Sequence, residues 1–191
     1  MLDDLITSKT RVKVLKLFME NIDDMFHVRE IVRRVEEEIN AVRRELMFLE
    51  KKGVLRREGR ANRVYYYLDK NYPYYFDLIR LRGKESGLGK AIIKNRVKLG
   101  KIKYAMLSGK YIRGIKTNLE SVDLLVVGVV VLPELALLVR SEEEEKKVEI
   151  NYTVMNEEEF NFRKSRLDPF IASIIHGSRI MLIGDEESLI E

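Results

Sequence analysis

NAVRRELMFLEKKGVLRREGRANRVYYYL, residues 40–68, is the stretch whose period decides the fold. Val42, Leu46 and Leu49 fall at i, i+4 and i+7, so residues 40–52 are expected to form a helix with one apolar stripe. The opposite stripe carries Asn40, Arg43, Arg44 and Met47, and Gly53 stands where a helix ends in a left-handed residue. Beyond Gly53 the period drops to two. Val54, Leu55 and Arg56 lead to a polar tip, Glu58, Gly59, Arg60, Ala61 and Asn62, and residues 63–68 return as a Tyr-rich strand.

Upstream, residues 10–19 place Val12, Val14, Leu15, Phe18 and Met19 at helical spacings after a capping residue, Ser8. Residues 21–25 connect to a second helix over 28–35, with Val28, Ile31, Val32 and Val35 on one face and Arg29, Arg33 and Arg34 on the other. Three helices followed by a hairpin is the order of a winged helix-turn-helix. A helix that enters the major groove buries one stripe and presents long donors on the other, because base edges there offer acceptors such as guanine O6 and N7. Arg43 and Arg44 are the candidates for guanine, and Asn40 for adenine. Lys51, Lys52, Arg56, Arg57, Arg60, Asn62 and Arg63 gather at the end of the helix and on the wing, where phosphates and the minor groove would lie. The competing reading is a solvated helix face with snorkelling arginines. A basic hairpin tip, which packing does not require, weighs against it. The run Tyr65, Tyr66, Tyr67 reads as sheet and dimer packing rather than base stacking.

On these motifs residues 5–82 resemble winged helix-turn-helix regulators of the ArsR-like kind. The resemblance implies a homodimer on a dyad-symmetric double-stranded DNA operator, and the two-fold logic of the motif favours this too. The chain has no cysteine, which excludes metal sensing through thiolates.

Past the hairpin, residues 76–82 read as a short helix, and the three glycines in residues 83–89 mark the expected boundary between domains 1–82 and 83–191. The second half alternates. A helix over 90–99, a strand over 102–107, a basic turn over 108–116 and a buried strand over 122–127 come first. A helix over 131–145, a strand over 149–155, helices over 157–163 and 169–175 and a last strand over 180–183 follow. The fold class expected for the whole chain is α+β, the second domain being a small α/β unit with a mixed sheet.

SGKYIRGIKTNLESVDLLVV, residues 108–127, resembles the signature of minimal nucleotidyltransferases of the DNA polymerase β superfamily. In that family Gly-Ser-x-x-Arg-Gly holds nucleotide phosphates, and two aspartates on the next strand, with a third carboxylate later, bind two magnesium ions. Here Gly109, Arg113 and Gly114 match, while Lys110 replaces the serine. Glu120 stands for a second serine, Ser121 for the first aspartate and Asp123 for the second, with Glu149 or Asn151 near the third carboxylate. The stretch from Asn156 to Asp185 adds to the likeness. With one paired aspartate replaced by a neutral hydroxyl, a poor magnesium ligand, the resemblance implies a degenerate domain that serves assembly or ligand sensing, without cofactor or metal. An active nucleotidyltransferase, possible in a toxin and antitoxin pair, is the alternative. Gly109, Lys110, Arg113, Gly114 and Asp123 remain as a nucleotide or phosphate site. Lys110 and Arg113 equally suit an extension of the basic surface towards DNA. His27 and His176 stand alone and are not expected to be catalytic.

The net charge of +4 hides an uneven distribution. Residues 1–72 carry 16 basic and 13 acidic side chains, residues 73–116 carry 12 and 2, and residues 117–191 carry 7 and 16. A polyanion is therefore expected on one side of the molecule only. The longest apolar run, 122–139, is interrupted by Pro133 and Glu134 and contains Asp123, so it reads as strand and helix rather than a membrane span. The absence of cysteine and of a secretory pattern at the start points to the cytoplasm.

Overall fold

The computed structural model describes residues 5–115 and 121–190 and divides into two compact units, Met1–Arg82 and Gly83–Glu191. It is an α+β protein with one antiparallel and one mixed sheet. Among the described residues, no helix is long and apolar enough to cross a membrane. Lys116 and Glu120 lie outside the described residues.

In the first unit, α1 (Lys9–Glu20) starts at Ser8, whose Oγ accepts the Arg11 N–H at 3.2 Å. Its apolar residues, Val12, Val14, Leu15 and Phe18 among them, are buried. A two-residue strand, β1 (Phe26–His27), follows, and then α2 (Val28–Val35), capped by His27 Nδ1 accepting the Glu30 N–H. Glu36 ends α2 in the left-handed region, and after a three-residue turn α3 (Ile39–Lys51) begins with the Glu38 carboxylate on the Asn40 and Ala41 N–H groups. The glycine after α3 adopts φ 75°. The Gly53 N–H reaches the Glu50 carbonyl and the Val54 N–H reaches the Leu49 carbonyl, which closes the helix with two bonds and buries Val54.

The chain then forms the hairpin β2 (Leu55–Arg60) and β3 (Arg63–Leu68), with β1 on the far side of β3. The polar tip expected over 58–62 is narrower than its composition implied. Gly59 pairs with Val64 and Arg60 with Arg63, so only Ala61 and Asn62 make the turn, with Ala61 at φ 49°. Phe18 and Phe26, with ring centroids 5.8 Å apart, join Val42, Leu46 and Leu49 in the core under α3. A single carboxylate ties the helices together. Glu45 of α3 receives Ser8 Oγ at 2.6 Å and Arg11 Nε at 2.7 Å.

The glycine-rich boundary is helical. α4 (Tyr75–Glu85) runs through Gly83, and after Ser86 alone α5 (Gly87–Lys94) begins. The glycines serve close packing instead of a loop: a Cβ at Gly89 would strike the Gly83 carbonyl oxygen, and one at Gly83 would lie 3.0 Å from Ile180 Cδ1. The second unit continues with β4 (Gly100–Ser108), the one-turn α6 (Gly109–Ile112), β5 (Leu124–Val130) and α7 (Leu132–Lys146). β6 (Tyr152–Met155), α8 (Glu157–Ser165), α9 (Pro169–His176), β7 (Arg179–Ile183) and α10 (Glu186–Ile190) complete it.

The sheet order is β6-β5-β4-β7, with β5 and β6 parallel across the α7 crossover and the other pairs antiparallel. Alternate residues supply two cores. Tyr104, Met106, Leu125 and Val127 pack with Phe160 of α8, Ile171 of α9 and Leu189 of α10. The interleaved Ala105, Leu107, Leu124 and Val126 are buried too, and α5 and α7 pack together. The helix expected over 90–99 stops at Lys94, and the strand expected over 149–155 is only Tyr152–Met155.

Candidate functional site

Two places gather the residues singled out by sequence. The first is the outward stripe of α3 with the adjoining hairpin. Val42, Leu46 and Leu49 point into the core, so the helix turns Asn40, Arg43, Arg44 and Met47 to solvent, and all four are exposed. Among the described residues, no carboxylate lies within ion-pair distance of Arg43, Arg44, Lys51 or Arg63. The Glu38 carboxyl is held below its usual range, first by the Asn40 N–H, then by the Ala41 N–H, with Arg44 and Arg43 adding to the effect.

The remaining basic residues are already engaged. Arg56 Nε meets Asp69 Oδ2 at 2.6 Å, Arg57 Nε meets Glu50 Oε1 at 2.8 Å, and Arg60 Nε meets Glu58 Oε1 at 2.9 Å. Asp69 is buried. Burial alone would raise its carboxyl, but the Asn71 N–H and the Arg56 guanidinium outweigh that and hold it below the usual range. The Lys52 ammonium lies 5.9 Å from the centroid of Phe48, whose ring also carries the Arg11 guanidinium at 3.8 Å. The set therefore splits. Among the described residues, Asn40, Arg43, Arg44, Lys51, Asn62 and Arg63 present side-chain donors without a partner, while Arg56, Arg57 and Arg60 share their charge with neighbours. The Arg56 and Arg57 pairs reach residues outside β2, which periodicity does not reveal, whereas Arg60 and Glu58 stand two apart on the same strand.

The second place is a cavity of about 490 Å³ in the other unit, lined by Ser108, Lys110, Arg113, Ser121, Asp123, Ser178 and Arg179. The backbone between the lining residues Ser108 and Lys110 is closely packed. The Gly109 N–H donates to the Ser178 carbonyl at 2.7 Å, and a Cβ at 109 would run into Ser178 Oγ. Gly114 answers a different need, since its φ of 68° suits glycine in otherwise open space. The Ser108 hydroxyl accepts the Lys110 N–H, Arg113 Nε donates to the Gly109 carbonyl at 3.0 Å, and the Lys110 side chain is exposed.

Sequence reasoning missed Arg179, which the sheet brings to this cavity from the last strand. Its side chain is only 9% exposed, Nη2 lies 3.2 Å from Glu186, Nη1 donates to the Ile175 carbonyl, and Nε has no hydrogen-bond partner among the described residues. Three cationic groups and several hydroxyls thus face one carboxylate. A volume in the range of small-molecule sites and this polarity suit an anionic ligand.

The same residues do not fit a pair of magnesium ions. Asp123 is buried, with Oδ2 accepting the Asn151 N–H at 3.1 Å, Ser121 offers a neutral hydroxyl and Glu149 is exposed. Among the described residues, no group of three or more His, Cys, Asp or Glu is placed to hold a metal ion. His27 caps α2 and His176 ends α9. No protein-family model, curated protein or solved structure matches the chain.

Proposed function

We propose that the protein is a homodimeric, sequence-specific double-stranded DNA-binding regulator of transcription, with residues 1–82 acting as a winged helix-turn-helix. In this reading α3 enters the major groove and the β2–β3 hairpin is the wing. One observation carries it: the outward stripe of α3 holds Asn40, Arg43 and Arg44 exposed and, among the described residues, without ion-pair partners, on a helix fixed from behind by Val42, Leu46 and Leu49. Rigid backing with free bidentate donors is what base readout needs. Substituting Arg43→Ala or Arg44→Ala is expected to weaken a genomic duplex selected by the parent protein by about 1–3 kcal/mol. Affinity for random-sequence duplex should change much less. Equal ratios of selected to random binding in parent and variants would remove this reading.

Residues 83–191 act, in the same proposal, as a degenerate nucleotidyltransferase-like domain for assembly or ligand sensing. The cavity beside Lys110, Arg113 and Arg179 supports retention of a nucleotide or phosphate, while the buried engagement of Asp123 and the neutral Ser121 weigh against turnover. An active nucleotidyltransferase is the second reading, favoured by the cavity alone. It requires transfer of labelled nucleotide that is lost in Asp123→Asn.

A further inference from the structure

We infer that the second unit carries its own grip on the duplex, a cationic face formed by α5, the turn after it and the start of β4, which binds phosphates irrespective of sequence. The inference rests on the DNA-binding reading above. Between Glu85 and Glu120 the sequence contains nine Lys or Arg and no Asp or Glu. Lys90 and Lys94 sit one turn apart on the exposed side of α5, Arg96 and Lys98 occupy the turn, and Lys101 lies at the start of β4; all five are exposed. Among the described residues, none of the five has a carboxylate within ion-pair distance. Several surface cations elsewhere in the chain are paired, as in Lys13 with Glu37, Arg34 with Glu30, Lys70 with Asp23 and Arg163 with Glu159.

Like charges this dense repel one another, and the Lys90 and Lys94 pair weakens its own helix. A polyanion relieves that repulsion and releases its counterions in doing so. The turn is also held in one shape. The Asn95 side chain and N–H both donate to the Ala91 carbonyl, the Lys98 and Leu99 N–H groups donate to the Asn95 carbonyl, and Leu99 is fully buried. Gly100 then turns at φ 106°, where a Cβ would strike the Val129 carbonyl oxygen. Arg96 and Lys98 are thus presented on a fixed backbone, which lowers the ordering cost of binding.

The chemistry favours a duplex backbone over other polyanions. No aromatic ring lies in the 90–101 stretch to stack unpaired bases. Val97, 85% exposed, is the apolar residue of the turn, and an interfacial membrane face carries larger anchors such as Trp, Phe or Leu.

The test measures affinity of the full chain for a random-sequence duplex and for the genomic duplex it selects, over a series of salt concentrations. The double variant Arg96→Gln, Lys98→Gln is expected to reduce the slope of log affinity against log salt by about 1.8, since each phosphate contact contributes about 0.9. It should weaken both duplexes alike and leave their ratio unchanged, and the charge-preserving Arg96→Lys, Lys98→Arg variant should keep the parent slope. An unchanged slope in the double variant, with an unchanged melting temperature, overturns the inference. So does loss of parent binding to phosphatidylserine vesicles in that variant while the DNA slope stays the same. The ratio of selected to random binding tests α3 instead, so failure there is read separately. If the parent binds no duplex at all, both fall.

Discussion

Asp69 shows how one side chain can take a candidate contact out of circulation. Its buried carboxylate accepts the Asn71 N–H at 2.9 Å and the Arg56 guanidinium, so Arg56 anchors the end of the hairpin. Because the folded carboxyl titrates below its usual value, the stabilisation is present above the unfolded value and is lost as pH falls through the folded one. Asp69→Asn should therefore lower the melting temperature most at neutral pH. The gap to the parent should close as pH falls below the ordinary carboxylate range, measured by thermal melts across pH. A constant gap would mean that Asp69 acts through packing alone. Arg60 is restrained in a similar way by Glu58, whereas Arg63, its partner across the hairpin, has no ion pair among the described residues. Among the described residues, Arg63 is the hairpin arginine without an ion pair, and on the DNA-binding proposal it is the one to meet a phosphate.

At the scale of elements, the second unit depends on a glycine contact that looked like a linker. Gly89→Ala would force a methyl group into the Gly83 carbonyl where α4 and α5 meet. Overpacking of this kind costs about 1–3 kcal/mol, and urea unfolding should show it as a lower midpoint with an unchanged slope. Glycine is ambiguous in sequence: three in seven residues suit a flexible joint and a close helix contact equally, and only the packing partner, here Ile180 from a distant strand, decides. The helices of the first unit were legible for the opposite reason. Val42, Leu46 and Leu49 repeat over two turns, Ser8 caps, and Gly53 terminates, so local signals agree with one another. β1 was not legible, since two residues have no period. α10, five residues long, gave too little pattern to separate it from a tail. The exposed stripe Asn40, Arg43 and Arg44 followed from the same periodicity that fixed the core. Arg179 did not, because its place beside Lys110 and Asp123 exists only after β7 has paired with β4.

For the whole molecule, the uneven charge acquires a structural meaning. The exposed basic residues from Lys90 to Lys101 belong to the second unit, and so does the cavity at Lys110 and Arg113. If the cavity holds a nucleotide without transferring it, a non-hydrolysable ATP analogue at a hundredfold excess over its dissociation constant should stabilise the parent by about 2.7 kcal/mol. The Lys110→Ala, Arg113→Ala variant should gain far less, read by thermal shift, and an equal gain in both would place the ligand elsewhere. Against these cationic surfaces stands the acidic turn that opens α3. Helix starts commonly grip phosphate with their bare N–H groups, but here the Glu38 carboxylate has already taken the Asn40 and Ala41 amides. An anion arriving end-on meets repulsion. On the proposed DNA-binding role, a duplex would have to come to the flank of the helix, where guanidinium and carboxamide groups would report which base is present, so that this end of the protein would discriminate more than hold.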